Sequence, residues 1–151
     1  VCVRAPNVMK GYWNRPEATR EAIDPEGWFH TGDVGYFDAD GFLYLCDRVK
    51  DMVISGGENV YPAEVESVLY EHPAIAEVAV IGLPDQKWGE AVTAVVRLVP
   101  DSSLTLEELR SFAAEKLARY KLPLRLHFVD VMPRNPAGKV LKYQLRELLN
   151  T

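Results

Sequence analysis

Residues 47–66 read DRVKDMVISGGENVYPAEVE, and this stretch divides the chain into two parts with different sequence patterns. Within it, the apolar residues Met52–Ile54 predict a short strand that ends at a Ser-Gly-Gly turn. Pro62 then opens a predicted helix that extends to about Glu71, because proline is favoured in a first helical turn and apolar residues follow at helical spacing. From Asp51 onward, the pattern predicts a self-contained folding unit.

Strand-like and helix-like segments alternate through the rest of this unit. Three apolar strands are predicted at 78–83, 91–99 and 126–131. Thr105 and Glu108 have the spacing of a capping box and predict a helix, and a final helix is predicted over 140–149. This alternation favours an α+β fold, a small lobe in which a short three-stranded sheet is flanked by helices.

The first 47 residues have a different pattern. Pro16 opens a short predicted helix, and strand-like residues on either side of the turn Asp38–Gly41 predict a β-hairpin. A segment of this size lacks the residues to form a core of its own. We therefore expect the hairpin to complete a sheet that belongs to a part of the protein outside this sequence.

The composition is that of a globular protein and excludes several functions. The chain has 151 residues, of which 48% are hydrophobic and 26% charged. A net charge of −5 argues against non-specific nucleic-acid binding, and no apolar run reaches the roughly 18 residues that a membrane span needs. Because Cys2 and Cys46 show no metal-ligand spacing, we expect no metal site and two buried thiols in a reducing compartment.

Charge is distributed unevenly along the chain. Residues 17–40 contain seven acidic residues and one basic residue, whereas residues 119–142 contain six basic residues and one acidic residue. Two interpretations remain open. Both segments form solvated surfaces, or the basic segment meets an anion such as a phosphate.

A lysine at the end of a stiff loop is the first candidate for chemistry. Residues 133–139 read PRNPAGK, so two prolines and a glycine precede Lys139 just before the last predicted helix. An ammonium on a flexible stem suits transient stabilisation of charge on a phosphoryl or carboxyl oxygen. The alternative is an ordinary solvated lysine in a turn.

Three other segments are weaker candidates when each is taken alone. The glycines after Ser55 allow a ligand to approach the backbone, or they make a tight turn. Asp33 follows a predicted strand, where a carboxylate accepts hydrogen bonds from a ribose or simply closes a turn. Trp88 lines a ligand channel or belongs to a minor core. The charged residues 47–51 form a salt-bridged linker or a hinge.

Taken together and in this order, these segments resemble the acyl-adenylate-forming superfamily, and they are most similar to fatty-acyl-CoA synthetases. The matching segments are 11–17 (GYWNRPE), 27–33 (GWFHTGD), 47–66 and 133–142. The resemblance implies that residues 1–47 end a large N-terminal, adenylate-binding domain. It further implies that residues 48–51 form a hinge and that residues 52–151 form a mobile C-terminal domain.

The resemblance also implies roles for individual residues. Lys139 would be the catalytic lysine that bridges the acyl carboxylate and the α-phosphate of ATP. Asp33 and Arg48 would hold the ribose of ATP or AMP, and Lys50 would be the hinge residue. The implied CoA-binding residues are Ser55, Gly56, Gly57, Glu58, Trp88 and Tyr120.

The implied function is that of the C-terminal part of an ATP-dependent ligase that joins a fatty or related carboxylic acid to CoA through an acyl-AMP. ATP, with Mg²⁺ held by residues outside this sequence, and CoA are the implied cofactors. The acid substrate and the protein's own N-terminal domain are the implied partners. We expect the fragment alone to be inactive. Two alternatives stay open, namely an acyl-AMP ligase that serves a carrier protein and a non-catalytic module that binds a nucleotide or a partner.

Some positions depart from the family pattern. Leu122 and Leu124 stand where relatives often have basic residues near the nucleotide of CoA, so Arg119, Lys121 and Arg125 are candidate substitutes. Ile54 stands where some relatives have a lysine. The loop ending at Lys139 also resembles a lysine-acetylation site of bacterial enzymes, which implies a lysine acetyltransferase as a partner. We expect a cytoplasmic location and leave peripheral attachment to a membrane open.

Overall fold

The computed structural model describes residues 1–150 and shows an α+β chain in two compact units, Val1–Lys50 and a second unit that begins at Asp51. Thr151, the last residue of the predicted C-terminal domain, lies outside the described residues. The boundary between the units falls within residues 48–51, for which the sequence predicts a hinge. The hinge motion itself stays a prediction.

The elements of the two units follow the chain in order. The helices are α1 (Pro16–Ala22), α2 (Pro62–Leu69), α3 (Leu106–Ala114) and α4 (Lys142–Leu149), with single 3₁₀ turns at Val49–Asp51 and Arg119–Lys121. The strands of the first unit are β1 (Cys2–Val3), β2 (Phe29–His30), β3 (Asp33–Phe37) and β4 (Leu43–Arg48). The strands of the second unit are β5 (Val53–Ser55), β6 (Glu58–Val60), β7 (Ile75–Asp85), β8 (Gly89–Leu98) and β9 (Arg125–Phe128).

The first unit contains two small antiparallel sheets, β1–β2 and β3–β4. The pairing of β3 with β4 confirms the predicted hairpin, and Asp38 holds its turn because Oδ1 accepts hydrogen bonds from the amides of Asp40 and Phe42. Large side chains on both faces of the hairpin are exposed, with Phe37 at 69% on one face and Tyr36 at 59% on the other. Strands that are apolar on both faces are typical of the interior of a larger sheet.

The second unit is built on a five-stranded sheet in the order β6-β5-β8-β7, with β9 parallel to β8. The α+β class is therefore confirmed, and the sheet is larger than the three strands predicted. The two additional strands of the sheet are β5, which was predicted as a separate short strand, and β6; their hairpin joins the edge of β8 through the pair Ser55 and Gly89. A pairing of one residue with a distant strand leaves no pattern in the sequence.

Helices cover both faces of this sheet, which explains the unbroken apolar sequence of its central strands. Val80 and Val92 pack in one cluster with residues of α2 and α3. Their neighbours Ile81 and Val95 pack in a second cluster with Leu145 of α4. Successive residues of a strand point to opposite faces, so each strand contributes to both clusters.

Side chains stabilise the ends and edges of these elements. The predicted capping box of α3 is confirmed, because Thr105 Oγ1 accepts from the Glu108 amide at 3.2 Å and Glu108 Oε2 accepts from the Thr105 amide at 2.8 Å. At the outer edge of β7, Glu66 of α2 accepts a hydrogen bond from the Val80 amide at 2.7 Å. Lys142 of α4 pairs with the same carboxylate at 2.7 Å, so both helices help to cover the edge.

The prediction for the cysteines is wrong for Cys2, which is exposed, while Cys46 is half-buried. Cys2 lies in the short pair β1–β2 directly opposite His30, and its Sγ is 3.4 Å from His30 Nδ1. Two-residue strands bury little surface, which is why the thiol stays accessible. Among residues 1–150, no helix has the length and apolarity required to cross a membrane.

Candidate functional site

The loop that carries Lys139 is held by hydrogen bonds within itself. Asn135 Oδ1 accepts from the Lys139 amide at 2.9 Å, and the Asn135 amide donates to the Lys139 carbonyl at the same distance. Gly138 adopts a φ of +81°, a conformation that glycine permits and other residues rarely adopt. The side chain of Lys139 is exposed and joins no ion pair in the described part of the chain. The loop therefore presents an ammonium that no carboxylate of residues 1–150 neutralises.

The two glycines of the Ser-Gly-Gly segment form the two-residue turn of the β5–β6 hairpin, and Ser55 is the last residue of β5. Gly56 and Gly57 have φ of +61° and +87°, as in the tight turns that best match the twist of paired strands. A Cβ on Gly56 would lie 2.8 Å from Cε3 of Trp88, whereas a Cβ on Gly57 would meet no atom within 4 Å. Gly56 thus permits contact with Trp88, and Gly57 leaves open space beside the turn.

Trp88 itself is held in the β7–β8 turn by Asp85. Asp85 Oδ1 accepts hydrogen bonds from the amides of Lys87 and Trp88 at 3.0 and 3.1 Å. These two backbone hydrogen bonds, that of Trp88 first, lower the pKa of Asp85 from its usual value of 3.8. The Gly56 amide donates to the Trp88 carbonyl at 2.8 Å, so the two turns are joined through their backbones.

A cavity of about 370 Å³ adjoins these two turns. It brings together three of the residues predicted to bind CoA, namely Ser55, Trp88 and Tyr120. Gly56 and Gly57 form the adjoining turn and Glu58 begins β6, and none of these three residues lines the cavity. The remaining lining residues are Arg110, Arg119 and Leu124.

The structure distinguishes the three basic residues proposed as substitutes near this cavity. Lys121 pairs with Glu64 at 2.6 Å, a hydrogen bond that raises the pKa of the lysine from its usual 10.5. Arg125 pairs with Asp85 at 2.7 Å. Arg119 lines the cavity and forms no ion pair within residues 1–150. The charge pattern alone did not separate these three residues.

Two further arrangements were not evident in the sequence. Leu122 is 7% exposed and belongs to the core, so only Leu124 of the two leucines lines the cavity. Arg110 lines the cavity from α3, and its Nη1 donates to the Pro123 carbonyl. Arg110 supports the segment that carries Arg119 and Tyr120, a contact across 13 residues that has no local sequence signal.

In the first unit, the two residues predicted to hold ribose are direct neighbours. Asp33 and Arg48 are paired across β3 and β4, and Arg48 Nε lies 3.2 Å from Asp33 Oδ1. Arg48 and Lys50 also line a cavity of about 610 Å³ together with Tyr12 and Arg15. No group of three or more residues suited to hold a metal occurs in the described residues.

The Lys139 loop and the glycine turn lie at opposite ends of the β7–β8 hairpin. Arg134, in the Lys139 loop, pairs with Glu77 near the start of β7. Gly56 contacts Trp88 just after Asp85, which ends β7. At a rise of about 3.3 Å per residue, the two ends are roughly 26 Å apart. The lysine and the glycine turn therefore face different places and do not reach one small ligand together.

The chain belongs to the family described as the AMP-binding enzyme C-terminal domain, whose model matches residues 64–139, half of the chain. The resemblance predicted from the sequence is therefore confirmed. The long-chain-fatty-acid–CoA ligase FadD13 of Mycobacterium tuberculosis is 53% identical over 147 residues, which are 97% of this chain and 29% of the relative. The 2-succinylbenzoate–CoA ligase of Geobacillus kaustophilus is 54% identical over 149 residues, 99% of this chain and 30% of the relative.

Solved structures agree with these relatives. The o-succinylbenzoate CoA synthetase MenE of Bacillus subtilis, in complex with the acyl-adenylate intermediate OSB-AMP, matches with a TM-score of 0.88 and 48% identity. This match covers 96% of our chain and 29% of MenE. MatB of Rhodopseudomonas palustris with bound ATP matches with a TM-score of 0.88 and 42% identity, over 97% of our chain and 29% of MatB. The chain thus spans less than a third of the length of these relatives.

Proposed function

We propose that this chain is the C-terminal portion of an ATP-dependent ligase that joins a fatty or related carboxylic acid to CoA through an acyl-AMP intermediate. The observation that carries the proposal is the placement of an unpaired ammonium at one end of the β7–β8 hairpin and of an open glycine turn with an adjoining cavity at the other. Relatives named as CoA ligases match almost the whole chain at more than half identity. The two ends correspond to the two half-reactions of such an enzyme.

In the first half-reaction, a carboxylate oxygen of the acid attacks the α-phosphorus of ATP, and pyrophosphate leaves. Two anions must approach each other in this step, so a cation placed between them lowers the barrier. We assign this role to Lys139, whose ammonium is exposed and unneutralised in the described chain. Asp33 and Arg48 are the proposed ribose ligands, because their side chains are adjacent on paired strands.

In the second half-reaction, the sulfur of CoA attacks the carbonyl carbon of the acyl-AMP, and AMP leaves. We propose that the thiol arm passes Gly57, where a methyl group in place of the Cα hydrogen would meet no atom within 4 Å. Trp88 and Tyr120 would flank CoA in the adjoining cavity, and Arg119 would neutralise one of its phosphates. Glu58 and Ser55 frame the turn on either side of the glycines.

The proposed functional ends are about 26 Å apart on one lobe, which supports a rotation of this lobe between the half-reactions. We propose residues 48–51 as the hinge, with Lys50 at its centre, residues 1–47 as the end of the N-terminal domain and the remainder as the mobile domain. Asp51 supports this boundary, since it pairs with Arg146 of α4 at 3.3 Å and so belongs to the second unit. The apolar faces of the β3–β4 hairpin support a larger sheet in the N-terminal domain.

Separate assays of the half-reactions in the intact enzyme test this proposal. Lys139→Ala should lower acyl-dependent pyrophosphate release by roughly 10²–10³-fold and largely spare thioester formation from supplied acyl-AMP. Gly57→Val should do the reverse, and Lys116→Ala, which alters a lysine paired with Glu71, is the matched control. An equal loss of both half-reactions in Lys139→Ala would contradict the assignment. Product formation without CoA but with a carrier protein would favour the carrier-protein ligase.

Several smaller assignments belong to the same proposal. Mg²⁺ would bind together with ATP through residues outside this chain. Because the fragment lacks these residues, we expect it to be inactive alone. An acetyltransferase that moved an acetyl group from a thioester donor to the deprotonated Lys139 amine, with the thiol as the leaving group, would remove the charge of the lysine and stop adenylation. Mass spectrometry after incubation with such an enzyme tests this, and an unmodified Lys139 would count against it. The free cysteines are compatible with a cytoplasmic location.

A further inference from the structure

A chain of ionic contacts connects the Lys139 loop to the central sheet. Glu77 of β7 is paired in register with Arg97 of β8, and Arg97 Nε donates to Glu77 Oε1 at 2.6 Å. The other oxygen of the same carboxylate accepts from Nη2 of Arg134. The second terminal nitrogen of Arg134, Nη1, donates to the Gly138 carbonyl at 2.6 Å. One carboxylate therefore reaches, through a single guanidinium, the residue that precedes Lys139.

The two ends of this chain of contacts lie in different kinds of structure. Glu77 and Arg97 lie on the long β7–β8 hairpin, while Arg134 and Gly138 lie in a loop outside the sheet. Gly138 has a φ of +81°, and the Arg134 guanidinium spans the loop from its first arm to this glycine. A planar guanidinium that donates in two directions fixes the orientation of the loop relative to Glu77 as well as the distance between them.

The two arginines favour the ionised form of the Glu77 carboxylate. The pKa of Glu77 lies below its usual 4.5, because Arg134 first and Arg97 second donate hydrogen bonds to it. Glu77 is half-buried and Arg134 is exposed, and ion pairs that stay in contact with solvent contribute little to global stability. The contact matters more for the placement of Lys139, because misplacing a catalytic group by about 1 Å costs on the order of 100-fold in rate.

We propose that Glu77, supported by Arg97, is the positioning residue that aims the Lys139 loop through Arg134 during adenylation. The inference rests on the proposed role of Lys139. Glu77 does not touch the reacting atoms and acts only through Arg134. The glycine turn at the other end of the hairpin is outside its reach, so its effect should be confined to the first half-reaction.

The test uses the intact enzyme and separates the half-reactions. Glu77→Gln keeps the shape of the side chain and removes its charge, and it should slow pyrophosphate release roughly 10- to 100-fold. Thioester formation from supplied acyl-AMP should stay within about twofold of the unmodified enzyme. Glu71→Gln, which removes an exposed carboxylate paired with Lys116, is the matched control and should leave both rates unchanged.

A second readout does not depend on catalysis. Amide hydrogen exchange over residues 134–140 should become faster in Glu77→Gln, because the loop loses its ionic contact with the sheet. Arg134→Gln should reproduce both effects, and the double variant should be no worse than either single variant, since the two residues act as one unit. Arg134 is exposed, so this variant remains informative if Glu77→Gln folds poorly.

The outcomes separate this inference from the proposed function. If Lys139→Ala leaves adenylation intact, the proposed role of Lys139 fails, whatever Glu77 does. If Lys139→Ala is defective but both Glu77→Gln and Arg134→Gln keep normal adenylation and loop exchange, the positioning role is refuted. An equal fall in both half-reactions with a lowered melting temperature would show a structural role instead and would also overturn the inference.

Discussion

Replacing Gly56 with alanine should destabilise the second unit more than the same change at Gly57. Both residues have positive φ, at +61° and +87°, so alanine at either position costs about 1–2 kcal/mol of conformational energy. Only at Gly56 does the new methyl group meet another atom, Cε3 of Trp88, at 2.8 Å. Relieving such a contact costs roughly 1–3 kcal/mol more.

The comparison with Gly57 is a conservative test of the contact between Gly56 and Trp88. The φ of Gly57 is further from the centre of the left-handed region, so its conformational cost is at least as large. A greater loss in Gly56→Ala must therefore come from contact with Trp88. The backbone of Trp88 is fixed, because its carbonyl accepts from the Gly56 amide and its amide donates to Asp85, so relief of the contact requires rotation of the indole about its side-chain torsions.

Chemical denaturation of the 151-residue chain, followed by circular dichroism, measures the free energy of unfolding of both variants. We expect Gly56→Ala to lose about 2–5 kcal/mol and Gly57→Ala about 1–2 kcal/mol. Tryptophan fluorescence should also change more in the first variant, since the ring is displaced from the cavity. Equal losses in the two variants would refute the steric argument and with it the packing of Trp88 on the turn.

Two other perturbations test the packing and the electrostatics of the second unit. Glu66→Ala should lower the free energy of unfolding by about 1–3 kcal/mol, because it leaves the Val80 amide without its acceptor and Lys142 without its partner. Glu64→Ala, which removes a more exposed carboxylate, is the control. Equally small losses in the two variants would contradict the edge-covering role of Glu66. The pKa of Asp85 is lowered in the folded chain by the amides of Trp88 and Lys87, so its stabilisation is present above pH 3.8 and is lost as pH falls through the lower folded value. Asp85→Asn should therefore reduce the fall in stability on acidification below about pH 4, and an unchanged acid profile in denaturant titrations would argue against this account.

Local sequence patterns predicted the elements whose residues interact with near neighbours. The capping box at Thr105 and Glu108 lies within one helical turn, and Asp38 binds amides two and four residues away. The order of the strands in the five-stranded sheet was harder to predict from local patterns. β5 joins β8 through a single residue pair, and only the packed structure selects that pair.

The candidate site divides in the same way. Lys139, the glycine turn and Asp33 stand in distinctive segments, so the sequence identified them as candidates. Arg119 could not be distinguished from Lys121 and Arg125, because the difference lies in their distant partners Glu64 and Asp85. No sequence pattern marked Glu77 as a functional residue, because its proposed positioning role depends on two arginines that are 20 and 57 residues away.

The amino-acid sequence by itself determined the class of the fold, the turns and caps, the family and the residue types available for charge stabilisation, because these depend on short-range periodicity and on segments with characteristic residues. Tertiary structure alone decided which cation remains unpaired, which glycine touches an indole and that the Lys139 loop lies about 26 Å along the hairpin from the glycine turn. The physical reason is that charge neutralisation and steric contact act over a few ångströms in space, whatever the separation along the chain.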